Sequence, residues 1–197
     1  MERGFYIVIT LDRMDDLIKF LPHLKKHNKY PVMVTIADDA EDAYRKKTMV
    51  GFLSPFDVTV YLDTDVLVNG NLDYLFEVAE DGCIGIYRET RFPICNAGIL
   101  AIPKEIKREL SEKWLSLYNA KKKKAVGDWD QDVLNSLIPK FKFCYLPREY
   151  NCILHEILPS EEKEMFSRVK IFHFLHHKGI DRKKYKSWRI YQGFETI

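Results

Sequence analysis

Cysteine is scarce in this 197-residue chain, and its four copies, Cys83, Cys95, Cys144 and Cys152, lie far apart with no CxxC pair. That spacing excludes a disulfide scaffold and a thiolate zinc site, and it predicts buried thiols in a reducing compartment. Long apolar runs are missing as well. No stretch approaches the roughly 20 residues needed to span a bilayer, so no transmembrane segment is expected. Residues 1–11 carry one basic residue and too short an apolar run to read as a signal peptide, so the expected location is cytoplasmic. A net charge of only +2 argues against nucleic acid as a partner. Glycine is absent from residues 10–16, which excludes a Gly-rich phosphate loop near the N-terminus. There is no internal repeat, low-complexity segment or Ser/Pro/Gly linker. One domain over residues 1–197 is expected, long enough to bury a core without staples.

What is present is 46% hydrophobic and 13% aromatic, ordinary for a globular core. Residues 5–10 (FYIVIT) form a continuous apolar run of buried-strand type. Met14, Leu17, Ile18, Leu21 and Leu24 then fall at helical spacing, with Pro22 expected to kink or split that helix. Residues 31–36 read as a second strand, 41–53 as a helix and 57–62 (DVTVYL) as a third strand. This β-α-β-α-β order predicts a parallel sheet with helices on both faces. After the turn signal Asn69-Gly70 the pattern mixes, with short strands at 83–87 and 98–102. Ile106, Leu110, Trp114, Leu117 and Tyr118 make one apolar helical stripe between residues 104 and 122. A short helix is expected at 130–138, strands at 141–146 and 170–174, and a basic helix after 183. Lys121, Lys122, Lys123 and Lys124 read as a solvated loop.

The third strand runs directly into Asp63-Thr64-Asp65. In an open α/β sheet, ligands bind beyond the carboxyl ends of the strands. Two neighbouring carboxylates repel each other and are costly to desolvate, and a divalent cation removes both problems. Mg²⁺ and Mn²⁺ take a few carboxylates plus substrate phosphates. A solvated turn capped by Asp65 is the bland alternative, outweighed by the buried strand before the motif and the VLVNG after it.

These residues carry a resemblance. Tyr61-Leu62-Asp63-Thr64-Asp65-Val66-Leu67-Val68, followed by Gly70-Asn71-Leu72 and Leu75-Phe76, looks like the DxD segment of GT-A glycosyltransferases. It is most similar to glycosyltransferase family 8, the glycogenin and lipopolysaccharide galactosyltransferase group. Four further segments follow in that family's order: Asn96-Ala97-Gly98-Ile99, then Trp129-Asp130-Gln131-Asp132-Val133-Leu134-Asn135. Tyr145-Leu146-Pro147 with Tyr150-Asn151 comes next, and Ile171-Phe172-His173-Phe174 closes the series.

The resemblance implies an α/β GT-A fold, with a Rossmann-like, mostly parallel central sheet flanked by helices in a single domain. Residues 1–68 would be the nucleotide-binding part, ending in DxD. Residues 69–197 would build the sugar and acceptor part, closed by a C-terminal basic lid over 178–189. The implied activity moves a hexose-type sugar from a nucleoside-diphosphate donor, a UDP-sugar, to a hydroxyl of a glycan, lipid or protein. Configuration would be retained. Asp63, Asp65 and His173 would ligate Mn²⁺ or Mg²⁺, with His176 and His177 as rivals for the imidazole. Thr10, Leu11 and Asp12 lie where the family's nucleotide sits, although Asp12 serves equally well as a helix N-cap. Thr64, Lys178 and Lys186 would face the diphosphate, together with Lys46 or Lys47. Asn96, Ala97 and Gly98 would contact the sugar. Asp130 would hold its hydroxyls and Gln131 would face the anomeric carbon; for Asp128 and Asp130 helix capping is the alternative.

The closing motif departs from the family. A Lys-Pro-Trp is replaced by Lys186-Ser187-Trp188, with extra residues after His173. The chain is also shorter than most members, so a partner chain, such as a homo-oligomer, could complete the acceptor side. A phosphatase of the haloacid dehalogenase class also uses DxD, but usually on its first strand, and a non-catalytic sugar-binding protein would not need Asp63, Asp65 and His173 intact.

Overall fold

The computed structural model describes residues 1–122, 130–175 and 181–196. Strand β1 (Arg3–Thr10) is buried from Gly4 onward, as a run apolar on both sides must be. Its side chains alternate between two cores. Phe5, Ile7 and Ile9 enter one, Tyr6 and Val8 the other. Strand β3 (Val58–Leu62) does the same, with Val58, Val60 and Leu62 on the first side and Tyr61 on the second.

Helices cover both faces. The first core takes Leu17, Phe20 and Leu24 from α1 (Met14–His27), with Leu75, Phe76 and Ala79 from the helix at Asp73–Glu80. Strand β2 (Val32–Ala37) edges the sheet, and α2 (Ala40–Thr48) and α3 (Val50–Leu53) follow it. After β3 come β4 (Val66–Val68), α4 (the Asp73–Glu80 helix), β5 (Ile84–Arg88) and β6 (Cys95–Ile102). Helices α5 (Lys107–Lys122) and α6 (Asp130–Asn135) cover the second face through Leu110, Trp114, Val133 and Leu134. Strand β7 (Phe143–Tyr145) completes a six-stranded sheet of order β2-β1-β3-β6-β5-β7, in which β6 alone runs against the others. The expected mixed α/β domain with a mostly parallel central sheet is what folds.

Strand β4 leaves that sheet. It pairs antiparallel with β9 (Ile171–His173), which pairs in parallel with β8 (Cys152–Ile153). A third core fills behind this small sheet, where Phe172 and Phe174 meet Tyr185, Ile190 and Tyr191. Helix α7 (Pro159–Met165) and helix α8 (Lys186–Tyr191) flank it.

Four expectations change. Pro22 does not split α1, which runs through it. The carbonyl it leaves without a helical donor belongs to Ile18, which is 65% exposed and so on the solvent side of the helix. The helix expected over 41–53 breaks at Met49. The break lets Gly51 press on α5 so closely that a Cβ would strike the Lys107 carbonyl. Cys83 and Cys144 are not thiols but a disulfide, because β5 and β7 are parallel neighbours that set Ile84 opposite Phe143. The thiol argument for a reducing compartment therefore fails for this pair, while Cys95 and Cys152 remain free and buried. Finally, the low apolar content of the expected lid does not keep its described part off the core: Tyr185 and Ser187 are buried. No described helix is long and apolar enough to cross a membrane.

Candidate active site

The Asp63-Thr64-Asp65 turn links the main sheet to the small one, and both hold it. The Asp63 N–H donates to the Gly98 carbonyl (2.8 Å), and the Phe174 N–H donates to the Asp65 carbonyl (2.9 Å). Tyr191 of α8 donates its hydroxyl to the Thr64 carbonyl at 2.9 Å. The β4–β9 register sets Val66 opposite His173, which brings the imidazole beside Asp65. His173 Nε2 lies 3.4 Å from Asp65 Oδ1. One ligand atom each from Asp63, Asp65 and His173 falls within 4.8 Å of the others.

Several features fit this trio to a divalent cation. His173 Nε2 is buried without a hydrogen-bond partner among the described residues. Its other nitrogen, Nδ1, meets Asn151 Oδ1 at 2.9 Å, the outer contact typical of a ligating histidine. Gly98 leaves the space: a Cβ there would collide with His173 Cε1 and sit 2.8 Å from Asp63 Oδ2. Two carboxylates with one imidazole are a donor set for a divalent cation. Burial raises the Asp63 carboxyl above its ordinary range, with Asp65 adding to the effect and Lys47 opposing it.

Lys47 is the only strongly buried lysine in this cluster, 6% exposed. It reaches Asp130 Oδ2 at 3.0 Å and Asp63 Oδ1 at 3.3 Å, with its ammonium 4.9 Å from the Tyr61 ring centre. Burial opposes its charge, but Asp130 and Asp63 outweigh it and hold the ammonium above its usual pKa. Tyr61 donates to Asp63 Oδ1 at 2.5 Å. Lys46 turns away, to Asp42 (2.6 Å) and the Ile36 carbonyl (2.9 Å).

Asp63, Asp65, Lys47 and Tyr61 line a cleft of about 810 Å³, and His173 lies buried behind it. Thr10 and Thr64 border it, as do Asn96, Gly98, Asp130 and Gln131. Gln131 Oε1 accepts from the Ala97 N–H (3.1 Å), and Trp114 Nε1 donates to the Asp130 carbonyl (2.9 Å). Asn135 clips α6 to β6, taking the Cys95 N–H at 2.7 Å and donating to its carbonyl at 2.8 Å. Other candidates are placed elsewhere. Leu11 and Asp12 are exposed and are not among the residues lining the cleft. Lys186 holds its ammonium 4.5 Å from the Phe166 ring centre. Lys178, His176, His177 and Asp128 fall outside the described residues.

Three site residues carried no assigned role in the sequence. Arg13 lines the cleft and pairs with Asp16 at 2.6 Å; its place one residue past Asp12 was the available signal. Glu89 is 6% exposed, its carboxyl raised by burial, and accepts from Asn96 Nδ2 at 3.3 Å. Asn151 is fully buried and stood in a quoted segment, but spacing alone gave no partner for it.

Neither the protein-family models nor the curated proteins yield a match to this sequence. Solved structures do. The glycosyltransferase GlyE of Streptococcus pneumoniae superposes with a TM-score of 0.76 at 16% identity, over 100% of this chain and 61% of GlyE. The galactosyltransferase LgtC, solved with donor and acceptor sugar analogues, gives 0.71 at 18% identity, over 98% of this chain and 96% of LgtC. The fold is GT-A. Mouse xyloside xylosyltransferase 1 shares it at a TM-score of 0.61 and 15% identity, over 91% of this chain and 100% of that one. A GT-A sheet places DxD after its third strand here, unlike the first-strand motif of haloacid dehalogenase phosphatases. The chain spans only 61% of GlyE, so GlyE extends well beyond the shared region.

Proposed function

We propose that this chain transfers a hexose-type sugar from a nucleoside-diphosphate donor, a UDP-sugar, to an acceptor hydroxyl, with retention of configuration and with a divalent cation. The observation that carries the reading is the grouping of Asp63, Asp65 and His173 in a GT-A fold, with both carboxylates lining an open cleft and the buried imidazole behind them. When bound, Mn²⁺ or Mg²⁺ acts as a Lewis acid on the diphosphate and offsets the charge that gathers there.

The chain's own groups do the rest. Lys47 sets its ammonium against both Asp63 and Asp130 in a buried setting, so the two carboxyl groups are held in place before substrate arrives. Asp130, clamped by Lys47 and Trp114, offers its carboxylate to sugar hydroxyls. Gln131 commits its oxygen to Ala97, which leaves its amide hydrogens for the sugar face. A glutamine is a poor base and a poor nucleophile. The bond from the anomeric carbon to the diphosphate oxygen breaks as the acceptor oxygen bonds on the same face, and the acceptor proton passes to the departing diphosphate. Thr10, Thr64 and Arg13 line the same cleft, and Arg13 is the cation offered to the diphosphate. The acceptor is a glycan, lipid or protein hydroxyl.

Binding tests the reading without turnover. Equilibrium dialysis with UDP should show binding that needs Mn²⁺ and is lost on chelation. Equal UDP binding with and without the cation would remove the cation from the reading.

A further inference from the structure

Four buried side chains behind the carboxylate pair form one hydrogen-bonded line, and a backbone group fixes its direction. The Gly98 N–H can only donate, and it points at the Asn96 amide at 3.0 Å. The atom it meets must therefore be Asn96 Oδ1. That same oxygen receives Asn151 at 3.0 Å, so the Asn151 atom facing it must be Nδ2. Asn151's remaining atom is then its oxygen, and this faces His173 Nδ1 at 2.9 Å. His173 Nδ1 must carry a hydrogen to donate. In the neutral ring Nε2 is then a bare lone pair, aimed at the Asp63 and Asp65 side. The far end agrees: Asn96 Nδ2 is left to donate to Glu89 Oε1 at 3.3 Å.

Reversing the line fails at both ends. Turning both amides would set Asn96 Nδ2 against the Gly98 N–H, donor to donor, and Asn96 Oδ1 against the Glu89 carboxylate, acceptor to acceptor. Asn96 is 1% exposed, while Asn151 and His173 are fully buried, so water cannot repair either mismatch.

We infer that the Gly98 N–H, acting through Asn96 and Asn151, sets the tautomer of His173 and holds Nε2 ready as a metal ligand before any cation arrives. Asn151 is the positioning residue, and Asn96 serves the metal ligand as well as the cleft. This rests on the proposed cation site, but the tautomer itself is a property of the metal-free protein.

Two measurements on the full chain test it. Nitrogen-15 NMR of labelled histidine, with His173 assigned by its loss in His173→Ala, should show hydrogen on Nδ1 and a bare Nε2 without metal. Mn²⁺ titration followed by electron paramagnetic resonance should show about 10- to 100-fold weaker binding in Asn151→Leu. Asn151→Asp presents an oxygen to Nδ1 whichever way its carboxyl turns and, with its proton on the oxygen facing Asn96 Oδ1, keeps the line intact, so it should keep the tautomer and bind Mn²⁺ within a few-fold of wild type. Asn96→Leu frees the Asn151 amide to turn and should lose the fixed tautomer, and adding Asn151→Asp, which offers oxygen either way, should restore it. A merely structural role would not give that rescue. Hydrogen on Nε2 alone in the metal-free wild type, or equal Mn²⁺ affinity in folded Asn151→Leu, would overturn the inference. Failure of wild type to bind Mn²⁺ would instead remove the proposed cation site, while the NMR still decides the relay.

Discussion

Lys47→Met is expected to destabilise the metal-free protein strongly. The lysine is 6% exposed and bridges Asp130 at 3.0 Å and Asp63 at 3.3 Å. The Asp130 side chain is itself only 5% exposed, so the variant strands a buried carboxylate without a counter-charge. Removing one partner of a buried pair costs about 3–5 kcal/mol. In a domain of this size each kcal/mol moves the melting temperature by about 2–4 °C, which gives a fall of about 6–20 °C. Thermal unfolding by circular dichroism in chelator reads it. The sign with pH is set by the ammonium, held above its usual value in the fold. Its contribution is fully present below the unfolded pKa of about 10.4 and fades as pH rises through the folded value. The wild-type advantage should therefore stay flat through neutral pH and shrink only in strong alkali. Lys47→Met with Asp130→Asn should recover part of the loss, since the stranded charge is gone. A melting temperature within about 2 °C of wild type for Lys47→Met would refute the view that this pair is a buried, mutually dependent unit.

Three further outcomes follow from the same geometry. Asp42 is held down to about 2, chiefly by its bond to Lys46, so its stabilisation is present above its ordinary 3.8 and lost as pH falls toward that lower value. Asp42→Asn should therefore flatten the acid limb of the stability–pH curve, and an unchanged limb would count against the pairing. Gly98→Ala should weaken Mn²⁺ binding by about 10-fold or more by crowding His173 and Asp63, and calorimetric titration showing wild-type affinity would contradict the cradle. Proton NMR of the first product should show a retained anomeric centre, and an inverted one would move attention from Gln131 to Asp130 as a base.

The sequence made the N-terminal half of the fold readable because its strands are apolar on both sides. Such runs signal strands buried between two layers, and residues 5–10 and 57–62 both behave so. The carboxylate pair stood out because it follows one of them. What could not be read depended on which distant strands become neighbours. Cys83 and Cys144 are 61 residues apart, and nothing local says that β7 pairs with β5. Lys46 and Lys47 differ by one position on a helix, which is enough to send one to Asp42 and the other into the cleft. The basic C-terminal segment hides a sparse apolar set among its charges. Tyr185, Ile190 and Tyr191 suffice to anchor it against Phe172 and Phe174. Asn151 illustrates the same limit, since its role exists only once β8 and β9 bring it to His173.

The central claim is most directly tested by nucleoside diphosphate release from a panel of nucleotide sugars. Wild type and Asp65→Asn would be compared in Mn²⁺ and in chelator. The expected result is release from one donor by wild type in Mn²⁺, abolished by chelator and reduced by orders of magnitude in Asp65→Asn. Full release in excess chelator, or an Asp65→Asn variant as active as wild type, would contradict it.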